Sequence, residues 1–280
     1  MNNFFRRTLT GAWIVIFMLG GFWLHPVSFF LTGLILLIGT QYEYYHLIRN
    51  TGTNPRMIPG IITGIIAYVI STLIAAGLVP VAAFLILIPS MSVIMVMELY
   101  RKQERQFDSL AHTLFPVLYI ALPFSMFPFA AFSRTGLASL IPHEHVLFSP
   151  GIIVGFFILL WANDTGAYLT GISIGRHRLM ASISPKKTWE GFFGGALISA
   201  IVAWFLSEWL GVVDRSHWII ISLIISITGT YGDLFESMLK RSCGVKDSGT
   251  ILPGHGGFLD RFDSTIMSFP LVYLFILLFG

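Results

Sequence analysis

Between Asp233 and Asp263 the chain carries five acids, four basic residues and a histidine in thirty-one positions, although only 11% of the protein is charged. The order is Asp233-Leu-Phe-Glu236-Ser237-Met-Leu-Lys240-Arg241, then Lys246-Asp247-Ser248-Gly249, then Pro253-Gly-His255-Gly256-Gly257-Phe-Leu-Asp260-Arg261-Phe-Asp263. Asp233, Glu236, Ser237, Lys240 and Arg241 are three or four apart, which places them on one face of a helix. Plain ion pairing along that face, Glu236 with Lys240 and Ser237 with Arg241, is worth about 0.2–0.5 kcal/mol per pair. A charge carried to membrane depth costs at least about 2.5 kcal/mol, so a bound cation accounts better for Asp233. Oxygen ligands shared with phosphate suit Mg2+. Gly249, Gly254, Gly256 and Gly257 permit turns and close approach of backbone to a ligand. Asp260 and Asp263 then share a helical face, with Arg261 between them.

A second constellation is Ser184-Pro185-Lys186-Lys187-Thr188-Trp189-Glu190. Ser followed by Pro predicts a helix start with Ser184 as N-cap. Lys186 and Lys187 would then sit in the first turn against the helix dipole. A bound anion removes that conflict; topological anchoring alone is the alternative. Upstream, Asp164 lies inside an apolar run, where a helix–helix hydrogen bond and a role in the site weigh equally. Glu43, among Tyr42, Tyr44, Tyr45 and His46, reads as an interfacial residue. Paired carboxylates, several cations and a glycine-rich loop are equipment for phosphoryl or nucleotidyl transfer. No Walker A motif is present.

The elements that must position these groups are membrane helices. Hydrophobic residues make up 55% of the chain and its mean hydropathy is +0.78, far above a soluble domain. A bilayer crossing needs about 20 apolar residues. Hydropathy predicts spans near 9–24, 27–48, 58–77, 80–98, 111–132, 150–172, 189–210, 217–236 and 263–279. The expected fold is therefore all-α: a single polytopic bundle over residues 1–280 with about nine transmembrane helices. Fifteen Lys and Arg fall in the odd connections, and only Arg134 and Arg215 in the others. That asymmetry puts the N-terminus and both polar constellations in the cytoplasm. The charge of +3 reports topology and anionic headgroups, not nucleic acid. Arg6 and Arg7 before an apolar run imitate a signal peptide, but His25-Pro26 follows in place of a small-residue cleavage pattern, which favours a retained anchor. The one cysteine, Cys243, excludes an intramolecular disulfide. Glycines four apart, at 60 and 64, 151 and 155, and 191 and 195, predict close helix packing.

From Ser237 through Asp263 the motif resembles, in order, the C-terminal signature of the phosphatidate cytidylyltransferases, or CDP-diacylglycerol synthases. Asn163-Asp164 and Ser184–Gly191 resemble that family's inner motifs, while the N-terminal third matches only in hydropathy. The resemblance implies CTP plus phosphatidate giving CDP-diacylglycerol plus pyrophosphate. It implies Mg2+ held by Asp233 and Asp260, and a second, monovalent cation such as K+. Lys240 and Arg261 join those acids as expected catalytic residues. Ser184, Lys186, Lys187, Thr188, Ser237, Lys240, Arg241, Lys246, Asp247, His255 and Asp263 are the expected substrate contacts. His255 is either a donor to pyrophosphate or a structural cap. The expected partners are CTP, phosphatidate, membrane lipids and a possible second copy, without nucleic acid. The compact chain resembles bacterial members, which implies the inner membrane. Two other classes compete: a CTP-dependent polyprenol kinase, which would release CDP, and a transporter, which would spread its charges through several spans.

Overall fold

The computed structural model describes residues 3–102, 104–133, 147–249, 251 and 256–280. His255 and Arg134 lie outside the described residues. The helices are α1 (Asn3–Trp23), α2 (Pro26–Arg49), α3 (Met57–Ala75), α4 (Leu87–Leu99), α5 (Gln106–Pro116), α6 (Leu122–Ala131), α7 (Gly151–Ile174), α8 (Trp189–Leu210), α9 (Arg215–Ser242) and α10 (Leu259–Phe279). A tighter turn, Val81–Ile86, leads into α4, and a widened turn, Val117–Ala121, joins α5 to α6. With those joins the helices among the described residues make nine rods where nine spans are expected. Seven rods, from α3 onward, are long and apolar enough to cross a membrane. This is an all-α, multi-pass membrane protein. The other two rods, α1 and α2, are antiparallel neighbours joined through Leu24 and His25. The far half of α2 carries buried Thr40, Gln41 and Glu43, so it is a polar wall of the bundle as much as a span.

Polar backbone inside a membrane must be satisfied by the protein. Pro116 supplies no N–H and opens the ladder of α5. Side chains of α2 cover the break: the Tyr45 hydroxyl donates to the Thr113 carbonyl (2.7 Å) and the Gln41 amide to that of Pro116 (3.3 Å). The expected glycine contacts are present. A Cβ on Gly155 would meet the Trp218 ring at 2.1 Å, on Gly60 the Tyr45 hydroxyl at 1.8 Å, and on Gly195 the Asn163 carbonyl at 2.7 Å. The apolar core runs through Phe22, Phe127, Phe157 and Phe269, where α1, α6, α7 and α10 meet edge-on.

The connections sort to two ends. At one end Arg56 pairs with Glu98 (2.7 Å), Arg101 donates to the Asn54 carbonyl (2.6 Å), and the end of α2 touches Ser248 and Leu259. At the other, Arg215 pairs with Glu208 (2.5 Å) and the His217 ring donates to the Phe279 carbonyl (2.8 Å).

The expected helix start at Ser184 fails. Ser184 is not a helix cap. Ser184–Thr188 is a strand, β4, paired antiparallel to β3 (Arg178–Met180), with Arg178 opposite Thr188. (A second pair, Phe132–Ser133 with Leu147–Phe148, closes the opposite end.) Helix α8 starts at Trp189, and Thr188 Oγ1 caps it by accepting from Gly191 N (3.1 Å). Lys186 and Lys187 are therefore outside the helix, and no dipole conflict arises. Thr188 serves as N-cap as well as Ser184 would, and the extended strand carries Lys187 across to α9.

Candidate active site

Helix α9 continues to Ser242, about a turn and a half past the expected end of its span, so Asp233, Glu236, Ser237, Lys240 and Arg241 all lie on it. Their side chains divide into two groups. The first is open. Asp233 keeps 38% of its side chain exposed, and its Oδ2 meets Lys187 Nζ from β4 at 2.8 Å. Ser237 Oγ donates to Asp233 Oδ1 (3.3 Å), and Lys187 also reaches the Thr230 carbonyl (3.4 Å). Asp263, buried on α10, lies in the electrostatic field of Asp233, Asp164 and Lys187, and Asp164 in that of Arg261. Asp164, on α7, feels the charges of Lys187 and Asp233, which is compatible with both of its readings. Asp233 is the acid that pairs with Lys187, and Asp164, Asp263 and Arg261 contribute to the electrostatic field around that pair.

The second group is closed. Lys240 Nζ lies between Glu236 Oε2 (2.5 Å) and Asp260 Oδ1 (2.6 Å). The Glu236 side chain is 1% exposed and that of Asp260 11%. The second oxygen of Asp260 accepts from Ser248 N (3.1 Å) and Gly257 N (3.0 Å), tying the glycine loop to α10. Behind it stands Glu43, only 2% exposed. Its Oε2 accepts from Leu259 N (2.9 Å) and Ser248 Oγ (3.2 Å). Glu43 is therefore not interfacial; the buried donors of the loop and of the α10 start hold it inside. A Cβ on Gly257 would fall 2.1 Å from Glu43 Oε2, and one on Gly249 2.7 Å from Oε1. Two of the four glycines are thus required by contact with this carboxylate. Gly256 has φ +78°, a conformation side chains resist.

Of the expected contacts, the structure gathers Lys187, Asp233, Ser237, Asp263, Lys240 and Asp260 around these groups. Arg241 turns outward and donates to the Val245 carbonyl (3.2 Å). Lys186, Lys246 and Asp247 are exposed on the hairpin and loop. Ser184 is half-buried in β4, and Thr188 is a buried cap.

Residues 5–279 match the model of the Cytidylyltransferase family. The chain belongs to the cytidylyltransferase family. Among its relatives are proteins named phosphatidate cytidylyltransferase from Staphylococcus aureus, 48% identical over 123 residues, and Staphylococcus epidermidis, 46% identical over 123. In both cases the match covers 43% of this chain and 47% of the relative. A Bacillus subtilis protein of the same name is 44% identical over 124 residues, 44% of this chain and 46% of that one. The matched part of the chain thus spans about half the length of these curated relatives.

In this cytidylyltransferase-family chain the donor chemistry suits a hard divalent cation: carboxylate oxygens, in excess over the cations, near lipid depth. Among the described residues no three acids or histidines converge closely enough to ligate a metal together. Mg2+ does not ask for that. It usually takes one or two carboxylates, waters and substrate phosphates. Asp233, accessible beside Asp263, fits that pattern, whereas the oxygens of Asp260 are engaged by Lys240 and two loop amides.

Proposed function

We propose that this protein transfers the cytidylyl group of CTP to phosphatidate, giving CDP-diacylglycerol and pyrophosphate, at the cytoplasmic face of a bacterial inner membrane. The observation that carries the reading is the Lys187–Asp233 contact, because it joins the two polar constellations into one site at the end of the bundle where most basic residues lie. Family membership and the names of the relatives support it. A phosphate oxygen of phosphatidate attacks the α-phosphorus of CTP, the bond to the β-phosphate breaks, and pyrophosphate leaves with that electron pair. Bound Mg2+ supplies charge neutralisation on the phosphate oxygens. Asp233 would be the anchoring carboxylate for that ion, with Asp263 as its neighbour, and Asp260, the other acid the family resemblance assigns to the metal, would reach it only by releasing Lys240. Lys187 is placed to exchange its carboxylate for a substrate phosphate, and Ser237 holds Asp233 in orientation. The closed group keeps the glycine loop and the start of α10 in register. Lys246, Arg241 and Lys186 form a basic rim that attracts CTP.

The test is purified protein with phosphatidate, Mg2+ and CTP labelled at the α-phosphate. Label should move into the chloroform phase with one pyrophosphate released per lipid labelled. Label left in the aqueous phase as CDP would instead mark a kinase.

A further inference from the structure

We propose that an open cavity over the β3–β4 hairpin is the docking site for the phosphomonoester headgroup of phosphatidate before transfer, an inference that rests on the reaction proposed above. The cavity measures about 710 Å³ and is lined by Arg176, His177, Arg178, Trp189, Glu190 and Phe193. Its charge is positive and unspent. Arg56, Arg105 and Arg215 each hold a carboxylate, but the guanidinium groups of Arg176 and Arg178 have no protein partner among the described residues. The one acid in the lining is occupied. Glu190 accepts from the His177 backbone N–H (3.2 Å to each oxygen) and bonds the His177 ring Nδ1 (2.6 Å). It locks the turn before the hairpin and leaves two arginines facing outward. Guanidinium forks match phosphate oxygens in pairs, and the match strengthens with phosphate charge. A phosphomonoester offers more charge and more free oxygens than the diester of any other membrane phospholipid.

The apolar half of the cavity fits the rest of the same ligand. Trp189 and Phe193 stack with ring centroids 6.1 Å apart, and both are exposed. Exposed Leu197 and Ile201 continue at the same four-residue spacing down α8. Twelve residues of helix rise about 18 Å, which is the reach of an acyl chain into one leaflet. The cavity also adjoins the reaction site: Arg178 is paired with Thr188, whose neighbour Lys187 touches Asp233 at 2.8 Å. An anchoring role alone would use the same residue types, arginines facing a negative leaflet and aromatic rings at the interface. It would not distinguish one anionic lipid from another.

Phospholipids brominated on the acyl chain quench nearby tryptophan and read this difference. Protein in nanodiscs would carry equal mole fractions of brominated phosphatidate, phosphatidylglycerol or phosphatidylcholine, and a Trp189→Phe variant would isolate the Trp189 signal. The proposal expects the strongest Trp189 quenching from phosphatidate, and loss of that preference in Arg176→Gln/Arg178→Gln. The same double variant should raise KM for phosphatidate about fivefold, more than it changes KM for CTP. Equal quenching by phosphatidate and phosphatidylglycerol, a preference that survives the double substitution, or an unmoved KM for phosphatidate would overturn it. Quenching needs neither CTP nor turnover. A protein that prefers phosphatidate yet fails the label-transfer assay would keep this site and lose the proposed reaction.

Discussion

Two groups of the same side-chain types stand one helical turn apart on α9, and they differ in access to solvent. Around Asp233, Lys187, Asp164 and Asp263 the carboxylates outnumber the cations and Asp233 is 38% exposed. Around Glu236, Lys240, Asp260 and Glu43 both oxygens of Asp260 and one each of Glu236 and Glu43 are taken up by an ammonium, loop amides and a serine hydroxyl, and Glu236 and Glu43 are sealed. An ion pair near the surface is worth little and can be exchanged for a substrate. A buried one is costly to break once formed. The open group is thus suited to bind and release charged ligands, and the closed group to hold the backbone around them. Asp260 belongs to the closed group by its contacts, although the family resemblance assigns it to the metal.

That double position makes Asp260→Asn the substitution of largest effect. It should abolish CDP-diacylglycerol formation and also lower stability by about 2 kcal/mol, since Lys240 and two amides lose a charged acceptor. Activity assays beside thermal unfolding in detergent would separate the two losses. A variant that unfolds normally and turns over normally would break the distinction altogether.

Next come Glu43→Ala and Gly257→Ala, which attack the frame from opposite sides. The first leaves the buried Leu259 N–H without an acceptor, at about 1–3 kcal/mol. The second drives a methyl group into Glu43, at about 1–3 kcal/mol. Both should lower the melting temperature, and combining them should cost less than the sum, because the alanine removes the group the methyl collides with. Full additivity would show that Glu43 and Gly257 do not meet as described.

A smaller effect separates the two lysines of β4. Lys187→Gln should lower kcat on the order of tenfold, because it touches Asp233. Lys186→Gln, exposed on the hairpin, should raise KM for CTP by about twofold. Equal effects from the two would return both to a general electrostatic role.

The smallest perturbation reports sidedness. Cys243 is a poor probe, since it is buried and burial pushes its thiol pKa up. Lys246→Cys in a Cys243→Ser background presents an exposed thiol on the loop. It should react with an impermeant maleimide only after the cells are opened. Labelling of intact cells would invert the topology.

The rods were legible because a run of about 20 apolar residues has few alternatives. The glycine pairs were legible because only small residues let helices approach closely. The widened turn after Pro116 and the tighter turn before α4 were not, since hydropathy does not record hydrogen-bond register. The β3–β4 hairpin was hidden because β3 is three residues long and Ser184-Pro185 imitates a helix start. Glu43 was misplaced for a different reason. Its partners, Ser248 and Leu259, lie more than two hundred residues away, and local tyrosines suggested an interface. The usable signal was the acid itself, a charge near the end of an apolar run without a neighbouring cation. For the same reason the motif 233–263 read as one site, when its residues fold into an open and a closed group.

The open group is the proposed reaction centre. Asp233→Asn tests it most directly, with label transfer from CTP to lipid and thermal unfolding measured on the same preparation. Turnover should fall on the order of a thousandfold at an unchanged melting temperature. Near-normal transfer by this variant at ordinary Mg2+ would contradict that assignment.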